Sequence, residues 1–393
     1  MEQPLPLSGI RVIDCSRVLA GPFATMLLAD LGADVIKVEP PAGDESRGWG
    51  PPWWGDRMER RSAYFASVNR NKRSVVLDLR TEAGRDLLNR LADGADALVH
   101  NARPSSAQRL GLDADALRAA HPDLVVASIG GFAGRDAELP SYDLLAQAMS
   151  GLMAVTGEPD GPPQKVGVAV LDLIAGLELA VGMLATLLGR ARGGGATAGV
   201  SVSLMESSVA ALTNVLANHL ASGAEPVRWG TEHPNIVPYQ VFATRDGHVA
   251  VAVGNDPQFA RLLEVLGLAP EDRYATNAGR VAAREVLIPW LAKAIGARGR
   301  DELVAALRAA DVPSGPVSSV GEALRGMQEA HGGAWLQDAG EMRLAPDPIR
   351  LSGEQLPLRS SPPMLGQHTD ELLWEIGLSA ADIASLRREG VVA

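Results

Sequence analysis

The 393-residue sequence contains a single cysteine, Cys15. One cysteine excludes an internal disulfide and a metal cage built from several thiolates, which is typical of a reducing compartment. The first residues show neither a basic start followed by an apolar run nor an Arg-rich amphipathic pattern, so no export or organelle signal is visible. From the sequence we therefore expect a cytoplasmic protein.

Positive charge is scarce and scattered. Lysine and arginine total 36 against 47 aspartate and glutamate residues, a net charge of −11, and the basic residues form no long run. This argues against duplex DNA or RNA as a partner, although a local group of arginines can still bind a small anion. The chain also lacks the G-x-G-x-x-G and phosphate-loop lysine motifs of nucleotide-binding sites, so a dinucleotide cofactor is not supported.

Metal ligands at the usual spacing are also missing. His233 and His368 each stand alone, with no second histidine or carboxylate at metal-ligand spacing. We therefore predict no metal site.

The residues that are present indicate a globular α/β protein. The chain is 46% hydrophobic and 21% charged, and its length favours two domains over one core. In the first 130 residues five strand-like runs alternate with helical patterns that end on or near glycine. The runs cover residues 10–15, 34–39, 74–79, 96–101 and 123–129. This alternation predicts a parallel, Rossmann-like sheet.

The second half of the chain has a different pattern. A strand at 200–204 and one helix at 205–223 are followed by two strands joined through Arg245, Asp246 and Gly247, a hairpin signal. Helical segments continue to about Leu324, with a break at DVPSGPV, residues 311–317. We therefore predict a large Rossmann-like domain at residues 1–222, a smaller α+β domain at 223–330, and a return to the large domain at 331–393.

The segment 166–189, VGVAVLDLIAGLELAVGMLATLLG, is nearly long and apolar enough to span a bilayer. Its two carboxylates, Asp172 and Glu178, make it unfavourable for the segment to span a membrane. We therefore interpret the segment as a buried helix with its preceding loop, and we predict no membrane partner. Asp172 has two compatible interpretations. One is a helix N-cap. The other is a carboxylate that the helix N-terminus keeps ionised despite burial and that is competent as a nucleophile. Glu178 lies away from that helical face and is more typical of a surface or interface acid.

Several other residues are candidates for a binding site. Tyr142 and Asp143 stand at a predicted helix start, where Asp143 has a capping role as its simplest interpretation. Arg103 and Arg109 follow a strand, where α/β sheets bind ligands and where arginine matches phosphate oxygens. Four more basic residues are also candidates for phosphate binding, and the alternative is that they are solvated surface charges. They are Arg47, Arg70, Lys72 and Arg73.

Taken together, the stretches resemble the class III CoA-transferase family, which includes formyl-CoA and carnitine CoA-transferases and the alpha-methylacyl-CoA racemases. The resemblance runs nearly end to end. It rests on LSGIRVIDCSRVLAGPFATMLLADLGADVIKVEPP, SVNRNKRSVVLDL, GVAVLDLIAGL, DVPSGPV and PPMLGQHTDELL, in that order. The resemblance implies a Rossmann-like large domain built from both ends of the chain, a small α+β domain between them, and an interlocked homodimer.

The resemblance also implies the site residues. The catalytic aspartate of the family falls on Asp172, and Tyr142 and His233 are expected at the substrate. Coenzyme A or acyl-CoA is expected as a substrate, with no tightly bound cofactor. The positions implied to contact CoA are Arg17, Val18, Leu19, Ala20, Leu77, Arg80, Asn101, Ala102, Arg103, Arg109, Tyr142 and Asp143.

Three departures from the family pattern refine the prediction. Tyr142 stands where the racemase branch has a histidine, which favours transfer over α-proton exchange. Pro40 replaces an arginine found in some relatives near the adenine, and the glycine-rich loop of the oxalate enzyme is absent. The stretch 228–259 looks most like the succinyl-CoA:glutarate branch.

These observations predict a transferase that moves CoA from an acyl-CoA donor, succinyl-CoA in the first place, to a short carboxylate or dicarboxylate through an aspartyl-CoA thioester on Asp172. An acyl-CoA racemase or isomerase of the same family and a non-catalytic CoA-binding protein are the alternatives.

Overall fold

The computed structural model describes residues 4–55, 60–194 and 199–393, and six strands within them form one parallel sheet. The strands are β1 (Arg11–Asp14), β2 (Asp34–Glu39), β3 (Lys72–Val76), β4 (Ala97–His100), β5 (Val125–Gly130) and β6 (Val200–Ser203). Their spatial order is β3-β2-β1-β4-β5-β6. In the pairing register Ile13 lies beside Ile36 on one side and Leu98 on the other. The predicted parallel α/β sheet is confirmed.

The order of the strands creates a crevice at the centre of the sheet. From β1 the chain builds outward to β2 and β3, and then returns to place β4 on the other side of β1. The connections that leave the carboxyl ends of β1 and β4 therefore run in opposite directions. A gap opens between them, and open α/β sheets bind their ligands at such a point.

Both faces of this sheet are covered. Ile13, Ile36 and Leu98 belong to one buried cluster, and the residue before each of them belongs to another. Since alternate strand residues point to opposite faces, the two clusters are the two sides of the sheet. The surrounding helices are α1 (Ala20–Asp30), α2 (Glu82–Ala92), α3 (Pro104–Leu110), α4 (Ala114–Ala120), α5 (Asp143–Met149), α6 (Val170–Ala191), α7 (Leu204–Ala210), and near the C-terminus Thr369–Glu375 and Ala380–Arg388. Helix α8 (Thr213–Ser222) follows α7 in the chain.

Helix α6 is the long apolar segment of the sequence. By length and composition it could cross a membrane, a test that the core helix of a soluble protein also passes. Seven of its residues, among them Leu171 and Met183, are buried against α1 and the sheet. Leu177, Val181 and Leu188 on the opposite face are 47%, 65% and 53% exposed. The predicted helix is present, but only one of its faces is buried.

A glycine allows α1 and α6 to approach closely. A Cβ on Gly176 would lie 2.6 Å from the carbonyl oxygen of Ala20 and 3.1 Å from the ring of Phe23. We expect Gly176→Ala to lower the free energy of unfolding by about 1–3 kcal/mol, because two backbones must separate. Urea denaturation measures the change.

Gly189, on the same helix, is the matched control for that substitution. Nothing lies within 4 Å of a Cβ there, so Gly189→Ala is expected to stabilise the protein by up to about 1 kcal/mol through helix propensity. Equal effects of the two substitutions would show that the helix contact at Gly176 is not tight.

The chain divides into two compact units, which we describe separately. The first comprises Met1–Leu152, Val166–Ala217 and Ala334–Ala393, and the second Met153–Lys165 and Asn218–Gly333. Residues 153–165 and 218–222 thus fall in the second unit and not in the large domain predicted at 1–222. Side-chain contacts account for this. Arg228 donates to the carbonyl oxygens of Glu158 and Gly161, and Asn218 donates to Asn235.

The second unit is built on a small antiparallel sheet. Strands β7 (Tyr239–Thr244) and β8 (Gly247–Ala252) form the predicted hairpin, and β9 (Ser314–Pro316) pairs with the other edge of β8. The break predicted at 311–317 therefore contains a strand that the sequence did not indicate. The helices of this region are Asp256–Leu266, Asn277–Ala282, Arg284–Gly296, Arg300–Ala309 and Val320–Ala330. The single helix predicted at 205–223 was also wrong, since α7 and α8 are separated at 211–212.

Candidate active site

A cavity of about 700 Å³ lies at the carboxyl ends of β1, β4, β5 and β6. Its wall comes from the loops that follow these strands and from the first turn of α6, so chain topology brings together residues far apart in sequence. Asp172 lies in this wall. The other predicted site residues in the wall are Arg17, Val18, Leu19, Ala20, Asn101, Ala102, Arg103 and Tyr142.

A second cavity of about 440 Å³ lies on the β2 and β3 side of the crevice. It shares Arg17, Asn101 and Ala102 with the first cavity, so the two adjoin. Its predicted members are Arg17, Leu77, Arg80, Asn101, Ala102 and Arg109. Together the two cavities bring together all the predicted CoA-contacting positions except Asp143.

The first turn of α6 is capped by a residue from another helix. Helix α6 begins at Val170, and its N-cap, Ala169, makes no side-chain cap bond. Oδ1 of Asp143 accepts hydrogen bonds from the backbone N–H groups of Leu171 (2.9 Å) and Asp172 (3.3 Å). The interpretation of Asp172 as the N-cap is therefore wrong, and Asp143 takes part of that function from the start of α5.

This arrangement changes the protonation of Asp172. Burial, together with the nearby carboxylate of Asp143, raises the pKa of Asp172 to about 7. The prediction that the helix N-terminus offsets the burial of Asp172 is wrong, because burial still raises its pKa and two of the first N–H groups of the helix are bonded to Asp143 instead. Near neutral pH both forms of Asp172 are populated, and desolvation makes the ionised form a stronger nucleophile than a solvated carboxylate.

Tyr64 lies near Asp172 and Asp143 but outside the linings of both cavities, and it is not among the residues predicted from the sequence. Burial and the carboxylates of Asp172, Asp143 and Asp44 raise the pKa of Tyr64 to about 12, so its hydroxyl stays protonated and able to donate. The ring of Trp49 packs edge-on against it, with 4.9 Å between centroids. The signal was the Gly-, Pro- and Trp-rich stretch at 47–65, because a long loop of this kind inside a domain is usually functional.

Six of the predicted basic residues divide into two groups. Four are bound to carboxylates, which leaves them a structural role in these contacts. The pairs are Arg47–Glu39 (2.6 Å), Arg70–Asp30 (2.5 Å), Lys72–Asp14 (3.0 Å) and Arg73–Asp34 (2.7 Å). In contrast, Arg17 lies 3.7 Å from Glu45 with 42% of its side chain exposed, and Arg80, although paired with Asp78, is 74% exposed. Arg17 and Arg80 therefore retain donors that face solvent at the crevice.

The remaining predicted residues have different surroundings. Tyr142 is 56% exposed at the rim of the larger cavity. Glu178 accepts a hydrogen bond from the Ser207 hydroxyl on α7 and lies outside both cavities. His233 is in the second unit, where its Nδ1 accepts from the backbone N–H of Asn235 (3.0 Å) and where burial and Arg284 lower its pKa. The substrate role of His233 stays a prediction.

Comparison with known proteins identifies the family. The sequence model of CoA-transferase family III matches residues 7–369. The succinate–glutarate CoA-transferase of Agrobacterium fabrum is 40% identical over 383 residues, covering 94% of this chain and 96% of the relative. The mouse succinyl-CoA:glutarate CoA-transferase is 38% identical over 385 residues, covering 94% and 86%.

A solved structure supports the same assignment. The crystal structure of a CAIB/BAIF family protein from Brucella suis superposes with a TM-score of 0.83 at 40% identity, covering 95% of this chain and all of that one. Sequence and fold thus agree over nearly the full length. The chain belongs to CoA-transferase family III.

Proposed function

We propose that this CoA-transferase moves CoA from succinyl-CoA to a short dicarboxylate of the glutarate type, with Asp172 as the nucleophile. The observation that carries the proposal is the position of Asp172: it is half-buried in the wall of the 700 Å³ cavity, with a pKa of about 7. The names of the two relatives support succinyl-CoA and glutarate as the substrate pair.

The proposed reaction begins with the donor thioester in the cavity. The ionised Asp172 carboxylate attacks the thioester carbonyl, the carbon–sulfur bond breaks, and CoA leaves as a thiolate from a mixed anhydride. The thiolate then attacks the aspartyl carbonyl and releases the donor acid, which leaves an aspartyl-CoA thioester. The acceptor carboxylate repeats these steps in reverse order. No net proton is gained or lost, so the cycle needs no external acid or base.

The adjoining 440 Å³ cavity is the proposed site of the nucleotide end of CoA. Leu77 and Leu79 supply apolar surface for a base, and Arg80 and Arg109 lie in the same lining. Arginine guanidinium groups match phosphate oxygens. The larger cavity on the other side of Arg17 and Asn101 would then receive the acyl end beside Asp172.

We also propose that two copies of the chain interlock as a homodimer. Large apolar side chains on α5 and α6 are exposed in the isolated chain, including Leu144 (52%), Met149 (56%) and Val181 (65%). Exposed apolar surface of this kind is typical of an interface. A mass near the single-chain 41.2 kDa in sedimentation equilibrium would contradict the dimer.

The single cysteine supports a cytoplasmic location.

Mass spectrometry of the purified protein with succinyl-CoA and a panel of mono- and dicarboxylates tests the function. We expect a new acyl-CoA with glutarate and little product with monocarboxylates, because a monocarboxylate lacks the second carboxylate that both succinate and glutarate carry. Absence of product from every acid would contradict the proposal. Deuterium entering the α-carbon of an acyl-CoA without an acceptor would indicate a racemase, and CoA binding without turnover would indicate a non-catalytic protein.

A further inference from the structure

The loop that follows β1 has an unusual backbone conformation where it lines the larger cavity. Val18 has φ of 71°, the left-handed region that a β-branched residue rarely adopts. Such conformations persist only where surrounding contacts enforce them, and they cluster at functional sites. The contacts that hold this loop therefore determine whether Val18 keeps its positive φ in the cavity wall.

The residues beside Val18 are held from two sides. The Arg17 backbone donates to Asn101 Oδ1 (3.0 Å), and Asn101 Nδ2 donates to the Arg17 carbonyl oxygen (2.8 Å). The Lys37 ammonium donates to the Ser16 carbonyl oxygen (3.0 Å). These bonds fix the loop up to Val18 but not Val18 itself.

The Val18 backbone N–H is held by one carboxylate. It donates to both oxygens of Asp44, at 3.3 and 3.2 Å. Asp44 also accepts from the backbone N–H (2.9 Å) and the hydroxyl (2.7 Å) of Ser46. Its second oxygen lies 3.0 Å from the Lys37 ammonium, and both side chains are fully buried. A rigid, buried charge pair thus supports the strained residue.

We propose that Asp44 is a positioning residue, whose carboxylate, fixed by Lys37 and Ser46, holds the Val18 loop in the shape that binds the acyl-CoA beside Asp172. The inference rests on the proposed function because it concerns the same cavity. Asp44 also begins the short helical turn Glu45–Gly48, so it joins two loops that border the site. Burial alone would raise the pKa of Asp44, but Lys37 and Ser46 lower it below its usual value, which keeps the carboxylate charged.

The first test is Asp44→Asn. The asparagine amide has one acceptor oxygen and one NH2 donor in place of two acceptor oxygens. Its NH2 group must therefore face either the Lys37 ammonium or the Ser46 donors, and the hydrogen bonding to the Val18 N–H weakens. We expect the KM for succinyl-CoA and the Kd for CoA, measured by calorimetry, to rise about tenfold or more. A folded variant with parent values of both would overturn the inference.

Asp30→Asn is the matched control, because Asp30 is also a buried carboxylate in an ion pair, with Arg70. It lies at the other end of α1, outside both cavities. A loss of buried charge pairing alone lowers the melting temperature in both variants, but only Asp44→Asn is expected to change Kd for CoA. Equal rises in Kd would overturn the assignment.

A rescue experiment separates positioning from general stability. Glycine adopts a positive φ without strain, so Val18→Gly introduced into Asp44→Asn is expected to lower Kd for CoA again, towards that of Val18→Gly alone. A double variant as impaired as Asp44→Asn would overturn the inference.

If Asp44→Asn does not fold, Ser46→Ala replaces it, since it removes one bond to Asp44 and leaves the charge pair. We then expect a smaller rise in Kd, and an unchanged Kd would overturn the inference.

The outcomes also separate this inference from the proposed function. A parent protein that binds CoA but transfers nothing would contradict the transferase proposal, while the Kd series would still test Asp44. A parent that transfers CoA, with a Kd for CoA insensitive to Asp44→Asn, would contradict only the positioning role.

Discussion

Asp172→Asn is expected to abolish CoA transfer while the fold is retained. Asparagine has the shape of aspartate, but its amide cannot form the anhydride and the aspartyl-CoA thioester of the proposed mechanism. Removing a nucleophile typically lowers kcat by at least about 10³-fold. Initial rates with succinyl-CoA and glutarate measure the loss, and circular dichroism checks the fold. A purified variant that exchanges CoA at the parent rate would show that Asp172 is not the nucleophile.

Glu178→Gln provides the control on the same helix. It makes the same change from carboxylate to amide, but Glu178 contacts Ser207 and lies outside both cavities. We expect near-parent activity from this variant. In addition, mass spectrometry of the parent mixed with succinyl-CoA should find CoA on the peptide containing Asp172. The same adduct on Asp172→Asn would place the covalent step elsewhere.

The sheet was predictable because its strands carry local signals. The strand predicted at 34–39 has the observed bounds, whereas the strand predicted at 74–79 lies instead at Lys72–Val76. The shift arises from two basic residues at its start, which look like a loop in sequence. Lys72 is neutralised by Asp14 on β1, and Arg73 by Asp34 at the start of β2. Such pairing depends on the sheet order, which local sequence does not contain.

The same limit applies to the candidate site. Asp172 was recognised as the central residue, but it was assigned to its own helix start, as was Asp143. In the structure Asp143 bonds to the N-terminus of α6, 28 residues away at Leu171. Tyr64 lies near both acids although it is more than 70 residues from each. Residue types and spacing predict local caps, whereas the pKa of Asp172 depends on its burial and on Asp143, which only the folded chain brings to it.

The pH dependence of the reaction follows from the raised pKa of Asp172. In the proposed mechanism only ionised Asp172 attacks the thioester. Since its pKa is about 7, we expect kcat/KM to rise with pH and level off above that value. Two units below the pKa about 1% of a carboxyl is ionised, so activity at pH 5 should be about a hundredfold lower than the plateau. Rates at saturating and limiting succinyl-CoA between pH 5 and 9 test this. A profile that stays flat down to pH 5 would show that Asp172 is ionised throughout.

Asp143→Asn tests the cause of the raised pKa. The amide oxygen of this variant can still accept the N–H of Leu171, but the like charge beside Asp172 is gone, so the acidic limb of the profile should move to lower pH. An unchanged limb in Asp143→Asn would assign the raised pKa to burial alone.

The stability of the folded protein should change with pH in the opposite sense to its activity. Because folding raises the pKa of Asp172 from 3.8 to about 7, its ionisation destabilises the parent as pH rises through this window. Asp172→Asn should therefore be more stable than the parent above pH 7 in urea denaturation and lose this advantage below pH 4.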